Sequence, residues 1–449
     1  MATRSEAGPT AYINARLLDP RSGLDEPGAL FADQGVIRDV GPRLFNDGLP
    51  DGAEVIDCAG ACLAPGLVDM RVQLGEPGNE HKETIETASR AAAAGGITSM
   101  VALPNTDPVV DDVAGIEFIA RRAREEKLVK VYGYGAVTRR LEGRELVEMG
   151  LLSEYGALGF TDGLQAVADA QVMRRALSYS RTVDTVILQH PQEPSLATGA
   201  MNSGELATRL GLSGNHLLNE VIVIERDLRL VEMTGGRYHV ANVTCAESLE
   251  VIRRAKARGL PVTASTAPHY FTLNETAVGD YRTFAKMTPP LRSERDREAL
   301  AAAVADGTID AIASDHSPHD QDAKRLPFNM AEPGIVGLES LLSLSLALVH
   351  GGRMPLLDLL RRLTDGPAGI LKGRADLTAG LPCDLVIFDP ERPATIDPDH
   401  FLSKSKNSPF EGHMVQGAVL RTVVDGRSIF TSDLSTPSGS TPGSGRQAA

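Results

Sequence analysis

From about residue 64 to about 320 the chain repeats one unit eight times: a short apolar run suited to a strand, then a longer stretch with helical spacing. The runs are GLVDMRVQL, ITSMVALPN, VKVYGYGAV, ALGFTDG, TVILQHP, YHVANVT, PVTASTAP and DAIASDHSP. Helix-like segments such as 112–126, 215–233, 246–258 and 293–305 lie between them. Strands in this rhythm are parallel, because a tight hairpin cannot join parallel neighbours and each connection must be long enough to carry a helix. Eight such units close on themselves most naturally as an α/β fold, the (β/α)8 TIM barrel.

The two ends follow a different rhythm. Residues 11–62 alternate short apolar runs (AYINARLLD, GVIRDVG, EVIDCAG) with Gly, Pro and Asp turns, and strand-like patterning returns after 378 in CDLVIFDP and VLRTVVDGRSIF. We therefore expect a small β-sandwich domain built from both chain ends, 1–62 and 378–432, flanking a barrel over 63–377. The last stretch, SDLSTPSGSTPGSGRQAA, has almost nothing to bury, which predicts a disordered tail over 433–449.

Composition excludes several function classes. The longest apolar stretches, such as 335–349, are interrupted by Gly, Glu and Ser and fall short of the roughly 18 to 20 residues that span a bilayer. No membrane association is expected. The first ten residues, MATRSEAGPT, lack the apolar core of a signal peptide, which predicts a cytoplasmic protein. Four cysteines (Cys58, Cys62, Cys245, Cys383) are too few for a disulfide framework, and no second pair or flanking histidine completes a metal set around Cys58 and Cys62. They read as buried thiols. With 45 basic and 59 acidic residues the net charge is −14, which argues against a nucleic-acid partner.

In a barrel of this kind chemistry belongs at the carboxyl ends of the strands. Strand 4 ends in Asp162, strand 5 in His190, strand 6 in Asn242 and strand 8 in Asp315-His316-Ser317-Pro318-His319. Taken singly, Asp162, His190 and Asp315 serve equally well as helix caps or loop ties. Asp315 together with His319, in an apolar strand before a tight Pro turn, points to function, because burying such groups without partners is costly. His239, inside strand 6, reads as a satisfied core histidine. His81, His216, His350, His400 and His413 show no convergent spacing and suit solvated or capping roles.

Long segments carry a family signature: APGLVDM, EPGNEHKETIETASRAAAAGGIT, LPNTDPV, GAMNSGELATRLGL, AKARGLPVTAS with APHY, PPLRSERDREAL, DGTIDAIASDHSPH, GIVGLE and SKSKNSPFEGH. Through them the chain, from about 11 to 431, resembles the dihydroorotases of the amidohydrolase superfamily, hydrolases that interconvert N-carbamoyl-L-aspartate and dihydroorotate in pyrimidine synthesis. The resemblance implies a barrel with a composite β-domain and a zinc site. Active members carry a His-x-His pair at the end of strand 1 and then an arginine that grips the substrate carboxylate. Here those positions read Arg71-Val72-Gln73-Leu74-Gly75. The family's strand 6 histidine falls on Asn242, the asparagine before PPLR falls on Thr288, and the strand 4 Ser-Asp-Asp-Gly run becomes Thr161-Asp162-Gly163-Leu164. Retained are His190, Asp315, Asn105 and His319. By resemblance Asp315 is a metal ligand and proton shuttle, catalytic if the chain is active. Asn105 and His319 contact substrate, and Asp162, His190 and Asp315 form a residual, partial metal site.

Hydrolysing a cyclic amide at neutral pH requires a metal-bound hydroxide and a Lewis acid on the carbonyl. Gln73 and Asn242 offer only amide oxygens in place of imidazoles, and Arg71 brings a positive charge to a cation site. The expectation is therefore a catalytically degenerate chain, with no metal or one weakly held, that pairs structurally with aspartate carbamoyltransferase. Some bacterial transcarbamoylases assemble with inactive dihydroorotase-like chains, and this chain looks like that class. In this reading Arg71 fills the metal volume and pairs with Asp162 or Asp315. One alternative is a metal-dependent dihydroorotase or related cyclic-amide hydrolase working with the reduced site. Another is a non-catalytic small-molecule binding module in which Arg71, Asn105, His190 and His319 hold a carboxylated ligand. A homo-oligomer is expected from the habits of the fold.

Overall fold

The computed structural model describes residues 7–46 and 48–432. The tail expected to be disordered, 433–449, lies outside the described residues, as do most of the first residues used to predict the compartment. Among the described residues no helix is long and apolar enough to cross a membrane.

Five strands open the chain: β1 (Thr10–Asp19), β2 (Leu24–Asp33), β3 (Val36–Gly41), β4 (Glu54–Asp57) and β5 (Cys62–Pro65). Twelve more follow. They are β6 (Leu67–Val72), β7 (Ile97–Ala102), β8 (Lys130–Gly133), β9 (Val186–Gln189), β10 (Met201–Asn202), β11 (Gly214–Asn215), β12 (Arg237–Val240), β13 (Val262–Thr266), β14 (Ala311–Ile312), β15 (Leu385–Thr395), β16 (Met414–Val424) and β17 (Arg427–Thr431).

The first five and last three make one eight-stranded sheet in the order β17-β16-β15-β5-β1-β2-β3, with β4 on β1. The two chain ends meet in a direct antiparallel ladder, Leu385 opposite Pro65 and Phe388 opposite Cys62. Alternation along these strands turns Tyr12, Leu17, Leu30, Leu63, Leu385 and Ile387 into one buried cluster. The sheet reaches Pro65 before the barrel begins.

The remaining strands form the parallel barrel. β6, β7 and β8 pair in order, as do β9, β12, β13 and β14. Parallel bridges Gly135 to Phe160 and Phe160 to Ile187 join the two arcs, and Val72 to His316 closes the ring. Strand 4 of the sequence, ALGFTDG, is thus present only at Phe160, which bridges both neighbours without extending into a ladder. Its flanking Gly156, Gly159 and Gly163 explain this, since glycine has no side chain to pack and weakens a strand. Successive residues part to opposite faces. Val101, Leu103, Val186 and Leu188 join Met70 and Tyr134 in one cluster, while Met100, Ala102 and Ile187 pack with the surrounding helices.

All four cysteines are buried and unpaired. Burial pushes the thiols up, Cys62 to about 11 and Cys58 and Cys383 to about 12, so they are inert packing groups.

Candidate active site at the strand ends

β6 delivers Arg71 into the barrel mouth, where the side chain is 3% exposed. Its Nε donates to Asp315 Oδ1 at 2.8 Å and its Nη2 approaches His190 Nδ1 at 3.3 Å. A guanidinium can only donate, so His190 Nδ1 accepts. Burial, reinforced by the Arg71 charge, holds His190 down at about 3 and therefore neutral. On the far side of Asp315, His269 Nε2 lies 3.8 Å from Oδ2, and burial holds this imidazole at about 4 despite the neighbouring carboxylate. Of the two partners expected for Arg71, the structure selects Asp315.

Asp162 is occupied elsewhere. Its Oδ1 accepts from the backbone N–H groups of Val137 and Thr138 at 2.8 and 2.9 Å, and Oδ2 accepts from the Thr138 hydroxyl. Burial nonetheless raises its carboxyl to about 6. An amide at this position retains the Oδ1 acceptor, so Asp162→Asn is expected to cost only about 1 kcal/mol of stability in urea unfolding and to leave metal content unchanged. A loss of bound metal in that variant would return Asp162 to the ligand set.

The residues expected to grip substrate are bound to one another. Gln73 Nε2 donates to Ser317 Oγ at 2.7 Å, and Asn105 Nδ2 donates to Gln73 Oε1 at 3.1 Å. Ser317 Oγ lies 3.4 Å from His319 Nε2, which donates to the Pro333 carbonyl at 3.0 Å. Burial holds His319 at about 3. Thr288 donates to Gln192 Oε1 at 3.0 Å. Gly75, in the place of the family's arginine, has φ +69°, and a Cβ there would fall 2.8 Å from the carbonyl oxygens of both Asn79 and Glu83. The backbone has closed over the position, and no side chain fits it without a shift of the main chain.

Three participants carried no signal of spacing in the sequence. His269 and Glu83 lie inside the APHY and EPGNEHKETIETAS segments, and the third, Gln192, follows His190 by two residues. Glu83 is fully buried just before the helix Ile85–Ala94, whose N-terminus is closed by a Thr84–Thr87 capping box. It accepts from Lys404 N at 3.0 Å and from the hydroxyls of Ser403 and Thr87, and it faces His316 Nε2 at 3.3 Å. Gly337 N donates to His316 Nδ1 at 3.2 Å, so the ring proton sits on Nε2 and points at Glu83. This carboxylate ties the 403–404 segment to the barrel rim. His239 is satisfied in the core, with Thr263 and Ser265 hydroxyls each 2.9 Å from its ring nitrogens.

The zinc implied by the family resemblance does not fit these residues. Asp315 and His190 both face a fixed cation, and Asn242 supplies an amide where an imidazole would stand. Asp162 is held by the 137–138 backbone. Among the described residues no three His, Cys, Asp or Glu are grouped so as to hold a metal ion. Asp162, His190 and Asp315, the expected residual site, are thus not one donor set.

Comparison with known proteins agrees with this architecture. Residues 60–248 match the family model described as Dihydro-orotase-like. The chain is similar to a protein of Anaplasma phagocytophilum (strain HZ) named dihydroorotase, 46% identical over 94% of this chain and 95% of that protein. A dihydroorotase of Pelobacter propionicus is 44% identical over 93% of this chain and 98% of its own length. Among solved structures, an L-hydantoinase from Arthrobacter aurescens superimposes with TM-score 0.83 at 23% identity, covering 95% of this chain and 96% of that one. A dihydropyrimidinase from Brevibacillus agri does so with TM-score 0.81 at 21% identity over 94% of each chain. At such identities these two speak for the barrel and its β-domain alone.

Proposed function

From the premise that this chain belongs to the dihydroorotase family of pyrimidine biosynthesis, given its 46% identity to a named member over 94% of its length, we propose that it is a catalytically degenerate member. Its remaining role is structural, as a partner subunit of aspartate carbamoyltransferase. The single observation that carries the degeneracy is Arg71, whose guanidinium is bonded to Asp315 at 2.8 Å and lies 3.3 Å from His190. A divalent cation at the same place would meet a like charge in a buried site, where repulsion is weakly screened. Closure of the backbone around Gly75 removes the carboxylate grip as well. The partnership rests on likeness to the inactive chains that accompany some bacterial transcarbamoylases.

The purified protein is expected to hold far less than one zinc per chain, to give no dihydroorotate turnover above an Asp315→Ala control, and to co-purify with the transcarbamoylase of its own cell. Elemental analysis, a dihydroorotate assay and affinity purification read these three results. A second reading is supported by the names of the relatives: an active dihydroorotase working with a reduced metal site. Stoichiometric zinc together with turnover lost in Asp315→Ala would decide for it.

A further inference from the structure

Away from the strand ends, the β-domain rests on the helix Leu341–His350. β16 comes so close to that helix at Gly417 that a Cβ there would fall 2.3 Å from Leu346 Cδ1. Beside this contact lies a cavity of about 390 Å³. Its apolar wall is made by Leu342 of the helix, Ile396 and Phe401 of the segment after β15, and Val415 and Val419 of β16. A cavity of this size at the junction of two domains, lined mainly by apolar groups with a few polar ones, is the usual setting for a small ligand.

The charged groups of the lining are Glu339, Asp397 and His400, and among the described residues no lysine or arginine lines the cavity. Glu339 stands in the turn Leu338–Ser340 that leads into the helix. Its Oε1 accepts from Leu402 N at 2.7 Å and from Ser403 N at 3.1 Å. Its Oε2 makes no hydrogen bond among the described residues and is not enclosed by them. Burial raises this carboxyl to about 6, against both N–H groups and the charge of Lys406. Lys406 itself is committed, its Nζ donating to the carbonyls of Phe401 and Ser403. Both oxygens of Asp397 are also engaged, Oδ2 by His400 Nδ1 at 2.7 Å and Oδ1 by Asp399 N at 3.1 Å. Glu339 Oε2 is thus the free acceptor of the lining.

We infer that this cavity is a binding site for a small organic ammonium ion on an apolar stem, its head at Glu339 Oε2 and its stem against Leu342, Ile396, Val415 and Val419. Charge and donor count select that class. An anion would meet two carboxylates. A neutral apolar molecule would cover Oε2 without supplying a donor, which is costly for a charge removed from water. A hard metal ion needs several oxygen ligands, and one is free. An ammonium group brings donors and the opposite charge together. No residue of the barrel mouth takes part, so the inference is independent of the metal-free reading and of the carbamoyltransferase partnership.

Isothermal titration of the full chain with hexylamine, hexanol, hexanoate or methylamine tests it, at about pH 8, where carboxylates are ionised and alkylamines are charged. Hexylamine is expected to bind saturably with a Kd of about 1 mM or below, and the other three about tenfold more weakly or not at all. Hexanol lacks the charge, hexanoate reverses it and methylamine lacks the stem. Glu339→Gln keeps an acceptor for Leu402 N and Ser403 N but removes the charge, and is expected to weaken hexylamine by about tenfold or more. Ser343 also lines the cavity, four residues after Glu339. Ser343→Lys therefore sets a tethered ammonium beside that carboxylate, and is expected to raise Tm and to abolish hexylamine binding. No hexylamine binding in wild type, binding undiminished in either variant, or hexanol binding as tightly as hexylamine would overturn the inference.

Discussion

Arg71→Ala is expected to lower stability by about 3 to 5 kcal/mol, the usual penalty for stranding a buried charge. The pair it breaks is closed from water, with side chains 3% and 11% exposed and a contact of 2.8 Å. Removing the guanidinium leaves the Asp315 carboxylate with only a neutral His269 at 3.8 Å. It also frees His190 Nδ1 from its donor. Replacing both partners is expected to behave differently. Arg71→Met combined with Asp315→Asn removes both charges, keeps a residue that tolerates the positive φ of 52°, and should recover at least half of the loss. Urea unfolding of the two variants measures this. A cost below about 1 kcal/mol for Arg71→Ala would mean that Asp315 does not depend on Arg71, and the degeneracy argued from their pairing would fall.

A comparable loss is expected for Glu83→Ala, about 3 to 5 kcal/mol, because several donors converge on one fully buried carboxylate and lose their shared acceptor. Its effect has a local signature. The Ser403–Lys404 segment loses its anchor, so limited proteolysis near 401–410 should speed up more than the global loss of stability explains. The effect also carries a pH dependence. Burial alone would raise the Glu83 carboxyl, but the hydrogen bonds it receives from His316 and from the hydroxyls of Ser403 and Thr87 outweigh it and leave it below its ordinary value of 4.5. A carboxyl depressed in the folded state adds stability above its unfolded pKa, and that stability is lost as pH falls through the folded value. The gap between wild type and Glu83→Gln should therefore be constant from neutral pH to about 5 and shrink below about 4. A gap that stays constant down to pH 3 would show that the charge on Glu83 contributes nothing.

The barrel was legible because its cause is local. Each strand-like run is bounded by turn residues and followed by a helical spacing, and parallel strands leave few ways to close. The composite β-domain was legible for the same reason, from period-two runs at both ends. Strand 4 was legible as a run but not as a single bridge at Phe160, since the weakness comes from the glycines around it and from neighbours that only the closed ring supplies. The altered positions were also named from the sequence, since by the family resemblance Arg71, Gln73, Gly75, Asn242 and Thr288 fall where active members carry functional groups.

What those substitutions do was decided only by tertiary structure. Arg71 and Asp315 are 244 residues apart, and no spacing rule says that one will neutralise the other in place of Asp162. Gln73 joins Asn105 to Ser317, and Gly75 seals its position with the carbonyls of Asn79 and Glu83. His269 and Glu83 matter because the closed barrel brings segments distant in sequence side by side, where burial makes every charge and every amide need a partner. The sequence by itself determined the family, the barrel and the list of altered positions. The closed ring determined their partners, because the strength of a buried charge depends on what faces it across the barrel and not on what precedes it in the chain.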